Sequence, residues 1–337
     1  MTSPRDWLHP RRARDQFPPY DTGDPAIVGQ AEARTSTLSR IYHKGHEQAW
    51  DGRAVLDELV ARHGGIRFPD EQRDAFARVA AVLLWGELAA WSISADLALR
   101  LDDTPAKMAA SSQVFDEARH FYVLREYLWR AGVPVAHLGG WSRTLLVELL
   151  ETDNLLYKVV GMQLLVENTA LALFKLIADR RLEPVLSDLL YYFERDEARH
   201  VGLGVLTLPP ILAELTDREA LALWAFQFRI NLYMFAGGLT LRDAFRALGV
   251  DQRAMDEYGM RLHGDILRRM RKPSDATAPS GARSIRGLFR ISKRSQARVA
   301  AFLFPGPDAP AWHRRTLDAL VAAADRGDRW LTPRGRT

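Results

Sequence analysis

The chain has 337 residues, of which 47% are hydrophobic and 26% charged, with a formal charge of +4 and no cysteine. That is the composition of a globular protein with a sizeable core. The lack of cysteine excludes disulfides, thiolate metal ligands, cysteine-held iron–sulfur clusters and thiol catalysis. The N-terminal stretch has no apolar core region and does not read as a secretory signal. No uninterrupted apolar run reaches the length of a membrane span; the greasiest stretch, Leu155 to Ile177, carries Lys158, Glu167 and Lys175. The expected compartment is the cytoplasm.

Residues 1–35 are rich in Pro, Arg and Asp and read as irregular. From Ser36 to His63 the pattern is helical and ends at Gly64-Gly65. Four long helical patterns follow. The first spans about Asp70 to Leu101. The second starts at Thr104-Pro105, a good cap with proline in the first turn, and stops near Gly132. The third covers about Thr152 to Arg181, preceded by a short helix over Ser142–Leu150. The fourth runs from about Glu183 to Leu208 and is expected to end at Pro209-Pro210. A fifth helix opens on the capping box Thr216–Glu219 and continues to about Leu248, with a kink expected at Gly237-Gly238. A sixth spans roughly Asp251 to Arg271, residues 273–287 read as a linker, and a last short helix covers Pro310–Arg326. Strand alternation is nearly absent, so the chain reads as all-α. The expected division is an irregular segment 1–35, a helical domain 36–272 with its core at 70–208, and a basic, partly flexible segment 273–337.

The pentapeptide Asp116-Glu117-Ala118-Arg119-His120 recurs unchanged as Asp196-Glu197-Ala198-Arg199-His200, and each copy follows a lone glutamate by thirty residues, Glu87 and Glu167. The set repeats at an offset of eighty, which is one helix pair. In a helix, residues at i and i+3 share a face, so Glu117 points with His120 and Glu197 with His200. Glu87 and Glu167 sit on apolar stripes, where an unpaired carboxylate is costly. Four converging carboxylates need a cation, and two divalent ions balance their charge. Oxygen donors with two imidazoles suit iron or manganese, and a four-helix bundle with this ligand pattern holds two such ions. A metal-bound histidine donates its other ring N–H to an acceptor. Asp116 is therefore drawn toward His200 and Asp196 toward His120, with Arg119 and Arg199 neutralising the aspartates.

Glu87, Glu117-x-x-His120, Glu167 and Glu197-x-x-His200 resemble the carboxylate-bridged di-iron proteins of the ferritin-like superfamily. The doubled Asp-Glu-x-Arg-His looks like the hydroxylase subunits of bacterial multicomponent monooxygenases, and is similar to ribonucleotide reductase small subunits and di-iron N-oxygenases. The resemblance covers residues 70–208. It implies a ferritin-like four-helix bundle with added helices, two Fe ions or a Mn/Fe pair, and O2 as co-substrate. It also implies that Glu117 and Glu197 bridge or chelate the irons, while Glu87 with His120 completes one and Glu167 with His200 the other. Leu124 stands where the reductases carry a radical tyrosine, and Leu171 where the hydroxylases carry a threonine, with Thr169 close by.

Trp91, Gln113, Phe121, Leu124, Thr169, Leu171, Phe174 and Phe193 fall roughly a turn from the ligands and are the expected pocket lining. The leading expectation is a di-iron oxidase or monooxygenase acting on a small apolar, aromatic or carrier-bound substrate. Iron storage, a structural di-metal role and a radical-generating subunit are the alternatives. The basic stretch from Arg261 to Arg298 suits docking of an acidic electron-donor or carrier protein. Nucleic-acid binding is disfavoured because no recognisable fold accompanies it. A homodimer is compatible with the long apolar stripes. His43-x-x-His46-Glu47 occurs once and reads as a polar helix face, and Trp85, Tyr191 and Tyr192 as packing residues.

Overall fold

The computed structural model describes residues 37–101, 103–269, 287–288, 294–295, 297–305 and 309–332. Segment 1–35, the linker 273–286 and most of the basic stretch lie outside these residues. Every regular element among the described residues is a helix. Four long helices make the bundle: α3 (Asp70–Arg100), α4 (Thr104–Arg130), α7 (Glu167–Arg180) and α8 (Pro184–Ala213). Around them stand α1 (Thr37–Glu47), α2 (Gly52–His63), α5 (Gly140–Glu151), α9 (Asp217–Thr240), α10 (Arg242–Ala247), α11 (Gln252–Arg269) and α12 (Ala311–Leu331). α3 lies along α4 and α7 along α8, giving the two helix pairs that the repeat implies.

The starts of these helices follow from local chemistry. Asp103 accepts from Ala106 N ahead of Pro105, Glu183 accepts from Leu186 N ahead of Pro184, and Thr216 with Glu219 closes a reciprocal capping box. α4 ends before Gly132, whose φ of 63° is the left-handed conformation that glycine adopts without strain.

Five boundaries differ from the sequence expectation. The region Ser36–His63 is two helices, parted at residues 48–51, where Asp51 caps α2 by accepting from Ala54 N. The third pattern is a short α6 (Leu155–Val159), a π-helical segment (Val160–Val166) and then α7. α8 passes through Pro209-Pro210 to Ala213. Proline's φ is helical and its loss is an N–H bond, which the burial of Leu208 and Leu212 offsets. The fifth helix breaks at Leu241, after Gly237-Gly238. Gly237 serves close packing instead, since a Cβ there would lie 3.1 Å from Ser142 Oγ. The last helix extends to Leu331 and docks on the bundle, where Trp141 Nε1 donates to the Ala324 carbonyl and Trp141 N to Asp328.

The core of the bundle is two apolar clusters, and a smaller third one gathers Leu239, Leu303, Leu317 and Ala324 beneath α12. Of the two, one gathers Ala90, Ile93, Ala110, Leu164, Leu203 and Leu208, and the other Leu83, Leu124, Tyr127, Phe174, Leu189 and Phe193. Along each of α3, α4, α7 and α8 the chain passes from one cluster to the other, and the repeated polar residues form the layer between them. α3 and the continuous Leu155–Arg180 helix have the length and hydropathy of a membrane span, but most of that surface is buried in the bundle.

Candidate metal centre

The four bundle helices deliver the six ligand-type residues: Glu87 from α3, Glu117 and His120 from α4, Glu167 from α7, and Glu197 and His200 from α8. All six are at most 5% exposed. Their donor atoms fall into two overlapping groups, Glu87–Glu117–His120–Glu197 and Glu117–Glu167–Glu197–His200, with donors within 4.8 Å of one another. Glu117 and Glu197 belong to both.

Both imidazoles present Nδ1 to the carboxylates. His200 Nδ1 lies 3.0 Å from Glu117 and 2.9 Å from Glu197. His120 Nδ1 lies 3.4, 3.5 and 3.3 Å from Glu87, Glu117 and Glu197. The opposite nitrogens face the aspartates of the neighbouring pentapeptide: His120 Nε2 is 3.2 Å from Asp196 and His200 Nε2 3.3 Å from Asp116. An N–H on Nε2 that donates to the aspartate leaves the Nδ1 lone pair free for a cation.

Behind the histidines the two aspartates and two arginines close a neutral ring. Arg119 donates to Asp116 at 2.5 Å and to Asp196 at 2.8 Å; Arg199 donates to Asp116 at 2.9 Å and to Asp196 at 2.7 Å. Pairing of this kind is what permits four charged groups in a dry layer. Burial opposes ionisation of Asp196, but His120, Trp50 and Arg199 together outweigh it and hold the carboxyl well below its usual range; Asp116 is lowered in the same way by His200 and His120 together.

The six inner residues have no such counter-charge, and their proton affinities show it. Burial pushes the Glu87 and Glu167 carboxyls well above their usual range, and the neighbouring Glu117 and Glu197 add to the rise. Burial opposes ionisation of Glu117 as well, but His200 and His120 outweigh it; Glu197 is likewise lowered. Burial disfavours the imidazolium forms, yet the surrounding carboxylates raise both histidines.

The residues fit a pair of divalent cations. Glu117 Oε2 and His120 Nδ1 are buried and have no hydrogen-bond partner, which is costly unless another charge meets them. The donor set is oxygen and imidazole without thiolate, as iron or manganese prefers.

An apolar cavity of about 150 Å³ adjoins this layer on the side of Glu87 and Glu167. Its walls come from α3 and α7, including Leu83, Gly86 and Ala90, and α9 to α11 close it with Met234 and Phe245. Of the eight residues expected to line a pocket, Thr169 alone lines this one. Gln113 instead donates to the carboxylates of Glu117 and Glu167. Phe193 stacks on His120, with centroids 4.2 Å apart. Leu124 and Phe174 are packed in the second apolar cluster and Leu171 in the first. Trp91 is 37% exposed and rests against Phe121 on the outer face. Helical spacing locates a residue's turn, and neighbouring helices decide what it touches.

Sequence reasoning missed the 48–51 loop. Trp50 Nε1 donates to Asp196 at 2.7 Å, its ring lies 4.6 Å from the Arg119 guanidinium, and Gln48 accepts from Arg199 at 3.0 Å. Reading residues 36–63 as one helix concealed these contacts, and no spacing rule links position 50 to position 196. The one available signal is the pair of non-periodic polar and aromatic residues just before the capping Asp51.

No protein-family model and no curated protein matches this chain by sequence. Solved structures do match its fold. A protein with aldehyde deformylating oxidase activity from Synechococcus has a TM-score of 0.54 at 19% identity, covering 66% of this chain and 98% of its own. A variant of an R2-like ligand-binding oxidase with an aerobically reconstituted Fe/Fe cofactor has a TM-score of 0.54 at 16% identity, covering 74% and 98%. Another with a Mn/Fe cofactor has a TM-score of 0.53 at 14% identity, covering 82% and 98%. The architecture is therefore that of a ferritin-like helical bundle.

Proposed function

We propose that the chain is an O2-dependent di-iron oxidoreductase that oxidises an apolar organic substrate. The observation that carries this reading is the juxtaposition of the six-donor layer with an apolar cavity at Glu87 and Glu167. Glu87, Glu117, Glu197 and His120 would hold one ion, and Glu117, Glu167, Glu197 and His200 the other. Bound there, two irons would supply the redox capacity and open coordination positions for the reduction of O2. The apolar lining of the cavity would present a substrate to the layer with hydrocarbon contacts. Asp196 and Asp116 hold the Nε2 protons of His120 and His200, so each imidazole keeps one orientation through turnover.

A monooxygenase balance is RH + O2 + 2 e⁻ + 2 H⁺ → ROH + H2O, so an external two-electron donor belongs to this reading. An acidic donor protein meeting the basic stretch before Arg298, in the cytoplasm, is the partner consistent with the charge pattern. Manganese in one site suits the same donors. The apolar cavity favours organic oxidation over storage, which has no use for a hydrocarbon-lined chamber.

The test is to load the metal-free chain with ferrous iron under argon, count iron, and admit O2. Two irons per chain and stoichiometric O2 uptake are expected. Many irons per chain would indicate storage, and absence of O2 uptake from a fully loaded chain would overturn the oxidase reading.

A further inference from the structure

Among the positions where the eighty-residue repeat fails, three cluster beside the His200 group. Gln113 corresponds to Phe193, Gln163 to Leu83, and Gly204 to Leu124. The first of each pair lies near the His200 group, and the three are in contact with one another or with the ligands. The Gln113 amide is fully buried and donates both to Glu117 Oε1 at 3.0 Å and to Glu167 Oε1 at 2.9 Å. One NH2 thus ties together two carboxylates from two helices.

Its orientation is fixed from behind. Gln163 Nε2 donates to Gln113 Oε1 at 2.9 Å. A flipped Gln113 would set its oxygen against two carboxylate oxygens and its NH2 against another NH2, so only one orientation is satisfied. Gln163 itself sits in the π-helical segment before Glu167, a departure from α geometry that is frequent at functional sites. A Cβ on Gly204 would lie 2.6 Å from the Gln163 Cβ, so the space for Gln163 depends on that glycine.

The His120 group shares the Gln113 bond through Glu117 but, among the described residues, has no amide on its own glutamate, Glu87. Phe193 stacks on its imidazole, Leu83 and Leu124 are packed in the apolar cluster, and among the described residues no side-chain amide reaches Glu87. Ligands held in place before binding lose less freedom when the ion arrives. We propose that Gln113, oriented by Gln163, is a positioning residue that makes the two cation sites unequal, so that the site on His200 fills before the site on His120. This inference rests on the metal-binding reading above and adds an order to it.

Cobalt(II), visible by its d–d absorption, is the probe. Metal-free full-length chain is titrated against a competing chelator, and a crystal prepared with one equivalent locates the ion by anomalous scattering. Two resolved steps are expected, with the first ion beside His200. Gln113→Leu should weaken the first step by about 10–100-fold, the range for loss of a ligand's hydrogen-bond partner, and leave the second step within a few-fold. Gln163→Leu, which leaves every ligand contact in place, should weaken the same step by less. If Gln113→Leu fails to fold by circular dichroism, Gln163→Leu decides alone. A first ion beside His120, or equal weakening of both steps, or no weakening of either, overturns the inference. A wild-type chain that binds no cobalt overturns the metal reading itself, whereas two ions bound in one unordered step overturn only the order.

Discussion

The pair α3–α4 and the pair α7–α8 approach one polar layer from opposite ends of the bundle. At the layer they are the same: glutamate, then aspartate, glutamate, arginine and histidine, each repeated at an offset of eighty. A turn away they part. α3 is a regular α-helix through Glu87, while the chain leading to Glu167 passes through a π segment. An amide clamps the second pair's glutamate, an aromatic ring backs the first pair's histidine, and Trp50 adds its bond to Asp196, with no counterpart at Asp116 among the described residues. Identity persists where buried charge constrains the residue type, because an uncompensated group in that layer is costly. It lapses where the environment need only be packed, and there each half is free to take a separate task.

The strongest way to break the comparison is to remove donors singly. Glu117 serves both groups, so Glu117→Ala should reduce metal content from two ions per chain to none. Glu87→Ala and Glu167→Ala should each leave one ion, on His200 and His120 respectively. Elemental analysis after reconstitution and desalting reads the result; a Glu87→Ala chain that binds nothing would show that the two groups act as one. The pH dependence has a fixed sign. Glu87, Glu167, His120 and His200 carry raised proton affinities and must give up those protons to cations, so loading strengthens as pH rises.

A smaller effect probes the ring behind the histidines. Asp116→Ala leaves two buried guanidiniums sharing one carboxylate, a loss of about 3–5 kcal/mol when one member of a buried ionic set is removed. Asp196→Ala should cost more by the worth of the Trp50 bond, about 1.5–3 kcal/mol for a hydrogen bond to a charged group. Urea denaturation of the metal-free variants measures both. Equal losses would mean that the ring is symmetric in energy and that Trp50 is a spectator.

The convergence of the six side chains was legible in the sequence because their pattern is dictated twice, by helical spacing and by charge, and the repetition removes chance. The Asp116–His200 and Asp196–His120 pairings follow from the same register. The pocket was not legible. Phe174 and Leu124 have the same spacing from the ligands as any lining residue, but face the second core cluster, and the walls contributed by Met234 and Phe245 come from helices with no repeat to mark them. Trp50 was hidden for a related reason: a loop contact reaching across 146 positions leaves no periodic trace.

The mildest change sharpens the comparison at the cavity itself. Gly86 precedes Glu87, its counterpart eighty residues on is Val166, and both line the chamber. Glycine inside a helix costs up to about 1 kcal/mol relative to a good helix former, so its presence in mid-α3 wants a reason. A Cβ there would meet nothing within 4 Å, so the position is open, and a longer side chain would extend into the free volume. Gly86→Leu should therefore melt no lower than the parent, rise by at most about 1 kcal/mol in stability, and bind its full complement of metal. What it should lose is room. Dry apolar cavities of about this size take up benzene or xenon. Benzene should raise the melting temperature of the parent chain and leave that of Gly86→Leu unmoved. Equal shifts in both would place the ligand elsewhere and remove the cavity from the functional reading, while a Gly86→Leu chain that lost metal would show that the glycine serves Glu87 and not the space beside it.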